Sequence, residues 1–240
     1  MRIPLTLAVV AATVLLQGCF HNDDDNTTTP APTPTPTPVP DTRQFQIDVT
    51  NLTQNQPITP VALVLHRAAY QPFMVGEQSS VALETLAEAG DNSAFISEAD
   101  ATVAVLDTVS GTAMIAAGAS ERFMLTGVGD EHKLSLAGML ANTNDGFAAL
   151  NGVNIADLDN GASTVFLANV YDSGTEGNNE VASDIPGQGG EGFNATRNDR
   201  DFIIVHPGVI SVMDGLTTSD LDQSHRFDNP AMKVTITRIQ

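Results

Sequence analysis

The chain of 240 residues carries 10 Lys and Arg against 29 Asp and Glu, a formal net charge of −19. That balance excludes nucleic acid as a partner, because binding a phosphate backbone requires a basic surface. A single cysteine excludes an intramolecular disulfide framework and any cysteine-based zinc cluster, and aromatics at 5% with no Trp leave the core to Val, Ile, Leu, Ala and Phe.

Arg2 precedes an apolar stretch from Ile3 to Leu16, broken only by Pro4, Thr6 and Thr13. A positive start followed by a short apolar core is the pattern of a secretory signal peptide, and the run falls short of the roughly 20 residues that cross a bilayer. It ends in Leu16-Gln17-Gly18-Cys19, which resembles the lipobox of bacterial lipoproteins. The resemblance implies export through the Sec pathway, removal of residues 1–18, and lipidation of Cys19, which would be the membrane anchor. Phe20 stands where an Asp would favour inner-membrane retention, so the expected location is the cell envelope, anchored in the outer membrane. Residues 21–40 read HNDDDNTTTPAPTPTPTPVP and hold six of the 13 prolines, a composition that packs no core and favours extended polyproline geometry. Residues 19–42 are therefore expected to be a lipidated cysteine and a disordered stalk, with one domain over 43–240.

In that domain Phe45, Ile47 and Val49 alternate with Gln46, Asp48 and Thr50, the period of a half-buried strand. Apolar runs predict further strands at Val61–His66, Thr102–Leu106, Arg122–Val128, Lys133–Leu140, Val165–Tyr171 and Phe202–His206, and Met232–Ile236 alternates again. One helix is predicted after Ser79-Ser80, with Val81, Leu83 and Leu86 on one side and Gly90 to close it. Many short strands at this spacing predict a mainly β fold, an antiparallel β-sandwich with one or two short helices. The first and last strands, Phe45–Val49 and Met232–Ile236, are expected to pair. Gly174–Asp201 is expected to be a long loop, and long loops in compact domains are often functional.

Two acidic loops follow strand-like runs, Asn142-Thr143-Asn144-Asp145-Gly146-Phe147 and Tyr171 to Glu180. Calcium takes six to eight oxygen ligands from carboxylates, carbonyls and water. Asp172 and Glu176 lie four apart across a glycine that lets the backbone curl, so their carboxylates can face one point, with Asp145 as a third. The same residue types also populate ordinary turns, and the pattern alone leaves both readings open. Asp157-Leu158-Asp159-Asn160-Gly161 is not an EF-hand loop, since its glycine falls one residue early and Ala168 occupies the position that needs Glu.

The segment Asp172-Ser173-Gly174-Thr175-Glu176 resembles the Asp-Ala-Gly-Thr-Asp/Glu segment of the spondin domain, found in F-spondin, mindin and many bacterial proteins. Further motifs resemble the bacterial members in order: Val49-Thr-Asn-Leu-Thr-x-x-Gln56, Thr59-Pro60, His66, Phe73-x-x-Gly76, Ala87-Glu88-x-Gly90, Leu134-Ser135, Thr143 to Phe147, His206-Pro207-Gly208 and Pro230-Ala231-x-Lys233-Val234. Together they span roughly residues 45–239. The resemblance implies a C2-like antiparallel sandwich holding a calcium ion, Ca2+, in loops at one edge, with Asp145, Asp172 and Glu176 as carboxylate ligands. Glu176 stands where the animal proteins have Asp, and Phe227 where bacterial members tend to carry Trp.

No catalytic residues are expected. The histidines of the domain, His66, His132, His206 and His225, are scattered, and no Gly-x-Ser-x-Gly elbow or phosphate-binding glycine signature is present. His66 and His206 end apolar runs and are expected to be hydrogen-bonded residues at strand ends. Two non-enzymatic functions follow: an adhesion or matrix-recognition module meeting a protein or glycan partner, or a periplasm-facing structural protein in which calcium only stabilises a loop.

Overall fold

The computed structural model describes residues 41–240. The signal peptide over 1–18, the lipidation of Cys19 and the stalk as far as residue 40 lie outside the described residues.

Nine strands and two helices make up the domain: β1 Thr42–Asn51, β2 Ala62–His66, α1 Val81–Ala89, α2 Ser93–Asp100, β3 Val105–Ser110, β4 Ser120–Val128, β5 Lys133–Met139, β6 Gly146–Asn154, β7 Ser163–Asp172, β8 Ile204–Val205 and β9 Met232–Arg238. Every pairing is antiparallel, in the order β3-β2-β5-β6-β7-β9-β1-β4, with β8 added beside β7. The chain is thus mainly β, as the sequence predicts. β7 belongs to both layers: its first half pairs with β9 and its last four residues with β6. The expected pairing of first and last strands is present, with Ile47 opposite Ile236 and Val49 opposite Val234.

The alternation of β1 explains its place. Phe45, Ile47 and Val49 have no exposed surface and join Leu63, Leu65, Leu134, Val234 and Ile236 in the larger core between the layers. A second cluster lies between the sheet and the helices, where α1 and α2 bury Leu83, Leu86, Phe95 and Ala99 against Val64, Phe73 and Phe147. Helix α1 begins where Ser80 accepts the Leu83 N–H at 3.2 Å, a serine N-cap. It ends at Gly90, whose φ of +68° suits glycine and whose N–H returns to Leu86 O.

Several elements differ from expectation. Strand β3 starts three residues later than the predicted Thr102–Leu106 and runs to Ser110; Ala101 and Thr102 close α2 instead, with N–H groups donating to Ser97 and Ala99 carbonyls. The predicted strand at Phe202–His206 shrinks to Ile204–Val205 because β7 offers it only Tyr171 and Asp172. Of the one or two short helices expected, only α1 is placed by the sequence: α2 buries only Phe95 and Ala99, one turn apart, which leaves a faint apolar stripe. Strand β6 was also missed, since its first five residues are buried on both faces and show no alternation. The loop over 174–201 contains two short 3-10 turns, Ala182–Asp184 and Pro186–Gln188.

Candidate metal centre

Asp145 and Asp172 are brought together by strand register. Gly146 opens β6 and pairs with Asp172, the last residue of β7. The turn before Gly146 is fixed by Thr143, whose hydroxyl donates to Leu140 O at 2.7 Å and accepts the Gly146 N–H at 2.9 Å. Asn144, Asp145, Asp172 and Ser173 have no exposed surface.

One oxygen of Asp145 is crowded with donors. Oδ2 accepts the Ser173 hydroxyl at 2.9 Å, the Thr175 N–H at 2.9 Å and the Glu176 N–H at 3.1 Å. The other, Oδ1, is buried with no hydrogen-bond partner. Asp172 is oriented differently: Oδ1 accepts the Gly174 N–H at 2.9 Å and Oδ2 the Asn178 side-chain amide at 2.7 Å. Gly174, at φ +73°, makes the bend between Asp172 and Glu176.

These acids are short of positive charge. Among the described residues, no ion pair reaches Asp145, Asp172 or Glu176. Burial, and then the neighbouring Asp172, pushes the Asp145 carboxyl well above the usual carboxylate range. Burial raises Asp172 as well, while the Arg200 guanidinium acts in the opposite direction. Glu176 is raised to about 8, by burial first and then by Glu88, Asp184, Asp145 and Glu191. Burial thus disfavours the charged form of all three carboxyl groups.

The predicted trio is therefore only partly assembled. Asp145 and Asp172 share one end of the sheet, and the Glu176 backbone donates to Asp145, but among the described residues no three His, Cys, Asp or Glu side chains converge at metal-ligand spacing. Ser173 and Thr175, which the sequence offers only as parts of a motif, and Asn178 hold the carboxylates in place. Glu180 also belongs nearby, with its N–H on Asn144 Oδ1 at 3.4 Å and its buried Oε2 unpartnered.

Oxygen ligands without thiolate or imidazole favour calcium or magnesium, and the orphaned Asp145 Oδ1 is an acceptor that no protein group satisfies.

The histidines differ in setting, and one borders this site: the His206 ring lies against Gly146, and its buried Nε2 has no hydrogen-bond partner. His66 is buried, with Nδ1 donating to Arg67 O at 2.8 Å, so that Nε2 accepts the Ser135 hydroxyl at 2.9 Å. Ser135 has no exposed surface and its oxygen also accepts the Gly152 N–H, which makes the pair a brace across the β5–β6 bulge. His206 accepts the Gly208 N–H on Nδ1 at 2.9 Å, and burial lowers it to about 4. Among the described residues no helix is long and apolar enough to cross a membrane.

No protein-family model and no curated protein sequence matches the chain.

Proposed function

We propose that this protein is a calcium-binding, spondin-like β-sandwich carried on the cell envelope as a lipoprotein, and that it serves as an adhesion or matrix-recognition module. The observation that supports the calcium reading most is the Asp145 carboxylate, with one oxygen saturated by three donors and the other buried and unpartnered beside Asp172. Asp145, Asp172 and Glu176 would hold the ion, with backbone carbonyls or water completing the six to eight oxygens that calcium requires. Bound calcium would supply the positive charge that the buried carboxylates lack. Ser173, Thr175 and Asn178 set the directions of the two aspartates. The loops at this end of the sandwich then form a fixed surface for a partner, and Cys19 is the residue through which the chain would be anchored.

The test is thermal. At a calcium concentration one hundred times Kd the native state gains about 2.7 kcal/mol, which for a domain of this size is a melting-temperature rise of roughly 5–10 °C. Asp172→Ala should remove the rise. An unchanged melting temperature in the wild type overturns the reading. For the adhesion role, added protease should degrade the domain on intact cells; full protection favours a periplasm-facing structural role instead.

A further inference from the structure

The first turn of α1 and the segment 193–197 line an open cavity of about 510 Å³. Val81, Phe193 and Ala195 form an apolar part of its wall, and Ser80, Glu84 and Arg197 supply polar groups. Val81 and Phe193 are exposed, so the apolar part is open to solvent. A volume of this order holds a small ligand or a side chain of a partner.

One carboxylate oxygen in this cavity wall lacks a donor. The Glu84 side chain is only 3% exposed, and its Oε2 accepts Arg197 Nη2 at 2.6 Å. Its Oε1 is buried with no hydrogen-bond partner among the described residues, which leaves a desolvated acceptor uncompensated. Arg197 is already engaged elsewhere: Nη1 donates to Asp201 at 2.6 Å and Nη2 also to Ser79 O at 2.9 Å. Acid is in excess here. Glu84 and Asp201 share the one guanidinium, and Glu98 Oε2 accepts the Ser80 hydroxyl at 3.2 Å. An anion entering the cavity would therefore meet three carboxylates and a guanidinium whose Nη groups are taken.

We propose that this cavity binds a primary ammonium group on an aliphatic stem, the chemistry of a lysine side chain. The ammonium donates to Glu84 Oε1. Its methylenes cover Val81, Ala195 and the Phe193 ring, whose face also attracts a cation. A single free oxygen selects an ammonium over a guanidinium, because the guanidinium fork is matched by both oxygens of a carboxylate. The net charge of −19 draws cations toward the chain in general, and the buried Oε1 fixes one in this place. The site uses none of Asp145, Asp172 and Glu176, so it is independent of the calcium site.

The test is amide NMR of the full chain, with Cys19→Ala so that neither an acyl group nor a thiol interferes. The chain is titrated at neutral pH with butylamine and, separately, with a blocked peptide that has one lysine between two glycines. Saturable shifts at Val81, Glu84, Phe193 and Ala195 are expected with both probes, and the tighter binder shows whether a free amine or a peptide is the source. The same peptide with norleucine for lysine should give none of these shifts, and with arginine it should bind more weakly. Glu84→Gln should raise Kd at least about tenfold, the loss of a hydrogen bond to a charged group. Because Glu84 also holds Arg197, the exposed Phe193 provides a second variant: Phe193→Ala should raise Kd about two- to fivefold with an unchanged melting temperature. No saturable shift at these residues in the folded wild type, equal binding of the norleucine peptide, tighter binding of the arginine peptide, or a Kd indifferent to both variants overturns the proposal.

Discussion

The Ser173 hydroxyl donates to Asp145 Oδ2 at 2.9 Å, joining the end of β7 to the start of β6 across the acidic end of the sandwich. Both residues are fully buried, so the bond is not exchanged with water. Ser173→Ala is expected to cost about 1.5–3 kcal/mol in the calcium-bound protein, the range for a hydrogen bond to a charged group. The cost should fall when calcium is chelated and Asp145 is protonated. Urea titrations with and without calcium measure both.

The pH dependence carries a sign opposite to that of most acids. Glu176 rises from 4.5 to about 8 in the folded chain, and Asp145 and Asp172 are raised as well. An acid with a raised folded value holds its proton in the native state after the unfolded chain has lost it, so stability falls as pH rises through that window. In chelator, the melting temperature should drop steadily between about pH 5 and pH 8. Calcium should flatten the drop, because the ion replaces the protons. A melting temperature that climbs over this range in chelator contradicts the charge-starved cluster.

Gly174 lies between the two predicted ligands of the β7 loop. A side chain there would strike the Phe202 carbonyl, and the φ of +73° disfavours any L residue. Gly174→Ala is expected to cost about 1–3 kcal/mol through strain and to weaken calcium binding by displacing Asp172 and Glu176. Calorimetric titration of the variant gives the second effect directly, and an unchanged affinity would mean that the bend does not position the ligands.

Arg197 bridges Glu84 on α1 at 2.6 Å and Asp201 at 2.6 Å, and it donates to Ser79 O at 2.9 Å. The Glu84 side chain is only 3% exposed. Arg197→Ala therefore strands a buried carboxylate, with an expected loss of about 3–5 kcal/mol, whereas Arg197→Ala combined with Glu84→Leu should recover much of it. Urea denaturation of the two variants separates this from an ordinary surface pair, whose loss would be at most about 1 kcal/mol.

The parts of the fold legible in the sequence were those with one buried face. β1 and β9 alternate cleanly, and as first and last strands they are expected to pair, a pairing whose register sets Ile47 opposite Ile236. β6 was illegible for the opposite reason: Gly146 to Leu150 are buried on both sides, so periodicity vanishes. α2 offered only Phe95 and Ala99 to the core. In the site, the carboxylates Asp145 and Asp172 could be proposed as neighbours because both flank loops after strand-like runs. The donors on Asp145 Oδ2 could not, since two of the three are backbone N–H groups whose direction depends on the Gly174 bend.

Calcium binding by Asp145 and Asp172 is tested most directly by isothermal titration of the metal-free full chain with calcium at neutral pH. A single saturable site in the wild type, accompanied by proton release and abolished by both Asp145→Asn and Asp172→Ala, is the predicted result. The absence of saturable binding in a folded wild-type protein, or binding that survives both substitutions, contradicts it.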